Sequence, residues 1–306
     1  MNILFIGIGS IAKRHIKNLR ALLGGQVHIT ALRSGKGKID ISELSYIDKV
    51  VYAKNELKPW YDAIFITNPT SKHYGTLENA LPYSDSFFIE KPVFTTGEED
   101  LQRFALPSKR YYVACPLRYT NVIQYLKENI DFSHIYSMQC VASSYLPDWR
   151  AGVDYRTTYS ACKELGGGVS IDLIHEWDYI NYLMGAPLEL KSLVRKKSNL
   201  EIDSDDIAVY IADYADKVVE VHLDYFGRKP IRTITLFGRD DTITANLITQ
   251  QVDWLGSGKS VSLAESRDNF QRKELIHFLK LIENDCPSDS DLPEACRVLR
   301  ITRGTL

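Results

Sequence analysis

Two glycines, Gly7 and Gly9, separate the apolar block Asn2–Ile6 from a segment of helical period in the opening stretch MNILFIGIGSIAKRHIKNL. The block has the length of a buried strand. From Ser10 to Leu23, Ile11, Ile16, Leu19 and Leu23 can share one helical stripe. A strand that becomes a helix across Gly-x-Gly-x-x-Ala is the arrangement a bound pyrophosphate requires. Gly7 permits the tight turn, Gly9 lets the backbone approach the ligand, and Ala12 is small enough for helix to pack on strand. The first N–H groups of the helix, from Ser10 and Ile11 onward, then face an anion. The alternative is that Gly7 merely punctuates a strand end.

The next hundred residues keep the same alternation. QVHITAL (26–32), DAIFITN (62–68), SFFIEKP (86–92) and RYYVACP (110–116) read as strands, and SKHYGTLENAL as a helix. Such a chain builds βαβ units and a parallel sheet covered on both faces. Residues 34–60 give no firm signal. The second half follows another pattern. IYSMQCVASSYL (135–146) is one long strand. A polar, aromatic loop and LGGGVSIDLIHEWDYINYLMG follow it, then five strand-like runs at short spacing, LELKSLVRK to DTITANLI. These predict a mainly antiparallel open sheet, covered by helices that include the closing segments FQRKELIHFLKLIEN and LPEACRVLRIT. The expected division is 1–118 for an α/β doubly wound dinucleotide domain and 119–306 for an α+β domain that binds substrate and oligomerises.

With 37 Lys and Arg against 39 Asp and Glu, the chain has no charge excess to recruit nucleic acid or an anionic membrane. No apolar run approaches the roughly 20 residues of a spanning helix. The N-terminus shows no export signal, and five scattered cysteines without a Cys-x-x-Cys pair argue for reduced thiols and against a zinc site. The expectation is a soluble cytoplasmic protein with no metal.

Further motifs carry a resemblance. Gly-x-Gly-x-x-Ala extends to His15, Glu90-Lys91-Pro92 ends a strand, Asn68-Pro69 leads to His73, and Gly166-Gly167-Gly168 precedes Asp172 and His175. In this order they resemble the Gfo/Idh/MocA oxidoreductases, the relatives of glucose–fructose oxidoreductase and inositol dehydrogenase, over essentially the whole chain. The resemblance implies a Rossmann domain binding NAD or NADP, and a second domain whose sheet forms the substrate face and often a dimer interface, giving a homodimer or homotetramer. It implies oxidation or reduction of a carbinol carbon in a carbohydrate. It also implies cofactor contacts at Gly7, Gly9, Ser10, Ile11, Ala12, Thr67, Asn68, His73, Glu90 and Lys91.

Hydride transfer to a nicotinamide asks the protein for positioning, a proton manager and donors to a developing oxyanion. Lys91 suits the last two, held extended by Pro92 at a strand end; the plain alternative is a surface lysine paired with Glu90. Asp172, His175, Glu176 and Tyr179, at i, i+3, i+4 and i+7, are expected on one helical face. His175 is the expected acid/base and Asp172 its partner. The resemblance would put the histidine four residues after the aspartate, where Glu176 stands, so Glu176 is the rival. A first-turn structural role for Asp172 and a core role for His175 stay open. Arg33 and Ser34 end the second strand where an NAD enzyme places a carboxylate, and Lys36 and Lys38 follow. This favours NADP, with NAD possible and solvated loop charge as the alternative. Trp149, Arg150 and Tyr155, in the loop before the triple glycine, and Arg118 are candidates for the substrate; a subunit interface would use the same side chains. This loop resembles those of family members in bacterial surface-sugar pathways.

The leading expectation is an NADP-linked oxidoreductase acting at a secondary hydroxyl or ketone of a sugar, sugar nucleotide or polyol. The alternatives are an epimerase or lyase that keeps its cofactor bound, and a non-catalytic NADP/sugar sensor.

Overall fold

The computed structural model describes residues 1–35, 45–283 and 286–306. Lys36 and Lys38 lie outside them. The chain forms two compact units, one of Met1–Pro116 with Asp268–Cys296, the other of Leu117–Arg267 with Arg297–Leu306.

The first unit contains β1 (Asn2–Ile6), α1 (Ser10–Leu23), β2 (His28–Leu32), β3 (Lys49–Val51), β4 (Ala63–Ile66), α2 (His73–Ala80), β5 (Ser86–Ile89) and β6 (Arg110–Val113). Its sheet runs β3-β2-β1-β4-β5-β6, every neighbouring pair parallel. All four residues of β4 and of β5 are buried, as they must be when both faces of a parallel sheet are covered. Strand order reverses direction between β1 and β4, and ligands bind at the carboxyl ends of strands flanking such a point.

The second unit contains α3 (Asn121–Asn129), β7 (Ile135–Tyr145), α4 (Val169–Asp172), α5 (His175–Met184), β8 (Glu189–Arg195), β9 (Ile207–Asp213), β10 (Val218–Asp224), β11 (Phe226–Gly238), β12 (Thr242–Asn246), β13 (Gln251–Trp254) and β14 (Ser260–Ser262). The sheet order is β14-β13-β12-β11-β7-β10-β9-β8, antiparallel except for β7 with β10. On β9, Ala208, Tyr210 and Ala212 are buried while Ile207, Val209, Ile211 and Asp213 alternate outward. Trp177 of α5 meets Tyr210 edge-on at 5.4 Å, which seats the helix on the inner face.

Helices α6 (Asn269–Ile282) and α7 (Leu292–Thr302) close the chain. The expected single cut at 118/119 does not describe this segment. Phe5, Phe65, Phe88 and Tyr112 stand in register across β1, β4, β5 and β6. Phe278 of α6 packs edge-on against Phe65 (5.4 Å) and Phe88 (5.3 Å). That aromatic row is an apolar face needing a cover, and α6 returns to supply it.

Candidate functional site

In the first unit the site is built where β1 and β4 end. The Gly7 N–H donates to the Leu32 carbonyl (3.2 Å), and Thr67 donates through its N–H to Ile6 (3.0 Å) and through Oγ1 to the Gly7 carbonyl (2.7 Å). Gly7 has φ of +93°, and a Cβ there would lie 2.7 Å from Asn68 Cα, so only glycine fits. Gly9 is different. It caps α1 with ordinary φ and no side-chain hydrogen bond, the first turn holds no acidic residue, and no atom lies within 4 Å of where its Cβ would be. Protein packing therefore does not require glycine at position 9. Ser10 is exposed, Ile11 half-buried, and Ala12 fully buried against the strand layer. An open backbone turn at a helix N-terminus suits a dinucleotide pyrophosphate.

Two motifs 75 residues apart meet here. His15 Nε2 lies 2.6 Å from Glu90 Oε1, both buried, and Glu90 Oε2 accepts the Lys91 N–H (3.2 Å). Burial alone would raise the Glu90 carboxyl, but the His15 hydrogen bond and the charges of His15, Lys91 and His73 hold it below the usual range. Glu90 is thus a buried brace beneath half-buried Lys91, rather than a group open to a cofactor. His73 likewise is 1% exposed, its ring nitrogens 2.8 Å from the Asn68 carbonyl and 3.1 Å from that of Val93. Burial lowers its imidazole pKa, which the two carbonyls oppose. It clasps two backbone segments, so the expected direct contact through His73 gives way to support of Asn68. Arg33 is half-buried with its N–H on the Val51 carbonyl (3.0 Å), and Ser34 is exposed.

In the second unit, Asp205 accepts the Ser170 N–H (2.9 Å) and so holds the start of α4. A Cβ on Gly168, at φ +132°, would sit 2.2 Å from that carboxylate. The expected continuous helix is broken at Leu173–Ile174, where bonds tighten to Ile174 N–H on the Ile171 carbonyl and Glu176 N–H on that of Leu173, both 3.3 Å. The four residues consequently do not share a face. Asp172 ends α4 half-exposed and accepts from the Tyr225 hydroxyl at 2.6 Å; His175 begins α5, also half-exposed. Glu176 is fully buried and pairs with Arg232 Nε at 2.7 Å. Tyr179 is fully buried against Cys140 Sγ at 2.9 Å. Burial, and next the Asp172 carboxylate, push the Tyr225 hydroxyl far above the ordinary phenol value, so it remains a donor.

Trp149 meets the Tyr225 ring edge-on at 5.2 Å and donates Nε1–H to Ser144 Oγ at 2.9 Å. Arg150 and Tyr155 line the same small hollow as Trp149, and the Tyr155 hydroxyl accepts the Glu201 N–H (3.1 Å). Arg118 belongs elsewhere. It is 1% exposed, donates through Nε and a terminal nitrogen to Asp178 (2.9 and 2.8 Å) and lies 5.1 Å over the Tyr182 ring. A buried two-point pair of this kind anchors α5 and leaves the guanidinium unavailable to a substrate. Among the described residues no group of three or more His, Cys, Asp or Glu could hold a metal ion.

Residues 1–110 match the family described as "Oxidoreductase family, NAD-binding Rossmann fold", and residues 148–305 match its C-terminal alpha/beta domain. The chain belongs to the Gfo/Idh/MocA oxidoreductase family. An uncharacterized oxidoreductase of Synechocystis, sll0816, is 24% identical over 152 residues, 47% of this chain and 41% of that protein. The chain matches about half the length of its curated relatives, between 41% and 53%. Two solved structures share the fold at low identity. UDP-N-acetylglucosamine 3-dehydrogenase GnnA from Acidithiobacillus ferrooxidans has a TM-score of 0.78 at 19% identity, covering 99% of this chain and 95% of that one. The WlbA dehydrogenase from Bordetella pertussis, in complex with NADH and UDP-GlcNAcA, also reaches 0.78, at 16% identity, covering 99% and 94%.

In this member of the Gfo/Idh/MocA family, Tyr225 is the site residue that sequence patterning missed. It lies 53 residues beyond Asp172 on the far side of three strands, and no local spacing connects them. The tie between His15 and Glu90 had a signal, since both stand in motifs, but the motifs do not announce that they touch.

Proposed function

We propose that this protein is an NAD(P)-dependent oxidoreductase that moves a hydride to or from a secondary hydroxyl or ketone carbon of a sugar, sugar nucleotide or related polyol. The observation that carries the reading is Gly9, a glycine with no steric reason inside the protein, at an uncapped helix start beside the β1/β4 reversal. Gly7, Gly9, Ser10, Ile11 and Ala12 hold the pyrophosphate, and Thr67 and Asn68 shape the adjoining strand ends. Arg33 and Ser34 meet the adenosine ribose, where a guanidinium and a hydroxyl with no carboxylate favour the 2′-phosphate of NADP. The nicotinamide, when bound, supplies or accepts the hydride.

The remaining roles belong to side chains. Lys91, fixed from below by the Glu90–His15 pair, donates to the substrate oxygen as negative charge develops there. His175 takes or returns the hydroxyl proton, a task suited to an imidazole near neutrality. Asp172, held by Tyr225, orients His175 and the substrate. Trp149, Arg150 and Tyr155 border the sugar. The test is Lys91→Ala. Its turnover in a 340 nm assay should fall by two to four orders of magnitude while the cofactor dissociation constant stays within about threefold. An unimpaired variant would remove Lys91 from the chemistry.

A further inference from the structure

Beside Tyr155 opens a cleft of about 520 Å³, lined by Tyr145, Lys197, Ser198, Phe226 and Arg228 as well as Tyr155 itself. Both of its lips are braced from behind. Asp206, fully buried, accepts the N–H of Lys197 (2.6 Å), the N–H of Ser198 (2.8 Å) and the Ser198 hydroxyl (2.5 Å), and pairs with Lys196 at 3.2 Å. Asp224, 3% exposed, accepts the N–H groups of Phe226 (3.0 Å) and Gly227 (2.8 Å) and the Ser143 hydroxyl (3.0 Å), with His222 Nε2 also at 3.0 Å. The rims are therefore fixed before any ligand arrives, and the negative charge of each brace is turned toward its own partners.

The cations on those rims are not used up. Lys197 and Arg228 are exposed, and neither has a carboxylate within ion-pair distance among the described residues. The Arg228 guanidinium instead lies 3.9 Å over the Tyr145 ring, which holds it flat against the cleft wall. Two uncompensated cations facing an aromatic-walled concavity recognise a phosphorylated group, and the rings offer a surface for a planar base. The cleft also connects to the candidate site. Tyr155 lines the hollow next to Trp149, Trp149 packs on Tyr225, and Tyr225 holds Asp172.

We propose that this cleft binds a nucleoside diphosphate, with Lys197 and Arg228 on the phosphates and the base against Phe226, so that the substrate is a sugar nucleotide. The assignment of the sugar end rests on the function proposed above. The test is calorimetric titration of the full chain, saturated with NADPH so that the dinucleotide site is filled, with UDP, uridine and inorganic phosphate in turn. UDP should bind, uridine at least tenfold more weakly, and the Lys197→Ala/Arg228→Ala double variant should raise the UDP dissociation constant at least tenfold without changing that for NADPH. Inorganic phosphate binding as tightly as UDP would overturn the nucleoside assignment. Absence of UDP binding, or UDP binding unchanged in the double variant, would overturn the cleft itself. Failure of the hydride-transfer reading would show separately, as binding of neither NADPH nor NADH.

Discussion

His175 and Glu176 are neighbours in sequence with opposite surroundings. His175 starts α5 half-exposed; Glu176 is fully buried on an ion pair with Arg232. The two substitutions should therefore separate stability from catalysis. His175→Asn should lower kcat by about two to four orders of magnitude with an unchanged thermal midpoint and cofactor affinity. Glu176→Gln should leave Arg232 without its counter-charge and lower unfolding free energy by about 3 kcal/mol, read by urea titration, with kcat per folded molecule retained. The reverse pattern would make Glu176 the acid/base. Spacing alone could not decide between them, because it assumed a helix continuous from Asp172, whereas the break at Leu173–Ile174 puts both residues in a separate helix from it. Arg118 misled for a related reason: an arginine beside aromatics has the same composition whether it faces ligand or, as here, a buried Asp178. The turn at Gly7 was legible because a strand-to-helix turn at positive φ marks itself locally, although the contact with Asn68 that excludes a side chain there is not local.

At the scale of elements, legibility followed pattern length. Strands with continuous apolar runs, such as β4 and β5, stood out, and the boundaries of α1 and α7 match the expected segments. β3, β13, β14 and α3 did not stand out. The three strands have only three or four residues each, and α3 contains adjacent β-branched Val122 and Ile123, which weaken a helical signal. The parallel pairing of β7 with β10 is a matter of topology that hairpin-like spacing cannot express. The return of α6 to the first unit was equally hidden, because the apolar face of an amphipathic helix does not name its partner. Phe278→Ala should test that placement. Its side chain is fully buried on the Phe65–Phe88 row, so removal should cost about 3–5 kcal/mol. In a urea titration followed with and without NADPH, the loss should fall on the transition that NADPH protects. A loss confined to an NADPH-insensitive transition would contradict the packing.

For the whole molecule, the chain forms two units with separate sheets. One carries the glycine turn, the other the Asp172–Tyr225 pair and the aromatic loop. The outward face of the eight-stranded sheet leaves Ile211, Val218 and Phe237 exposed by 40–52%, and we infer that a second copy covers it. Sedimentation velocity should give a dimer or tetramer that Ile211→Asp dissociates; a monomeric wild type would end that inference. The central claim, that this fold is organised around a dinucleotide, is tested most directly by calorimetric titration of the wild type and Gly9→Ala with NADPH and NADH. Both nucleotides should bind, NADPH more tightly. Gly9→Ala should lose at least tenfold in affinity, with stability within about 1 kcal/mol of wild type, since the new methyl enters open space. Binding of neither nucleotide by cofactor-free protein, or full affinity in Gly9→Ala, would contradict it.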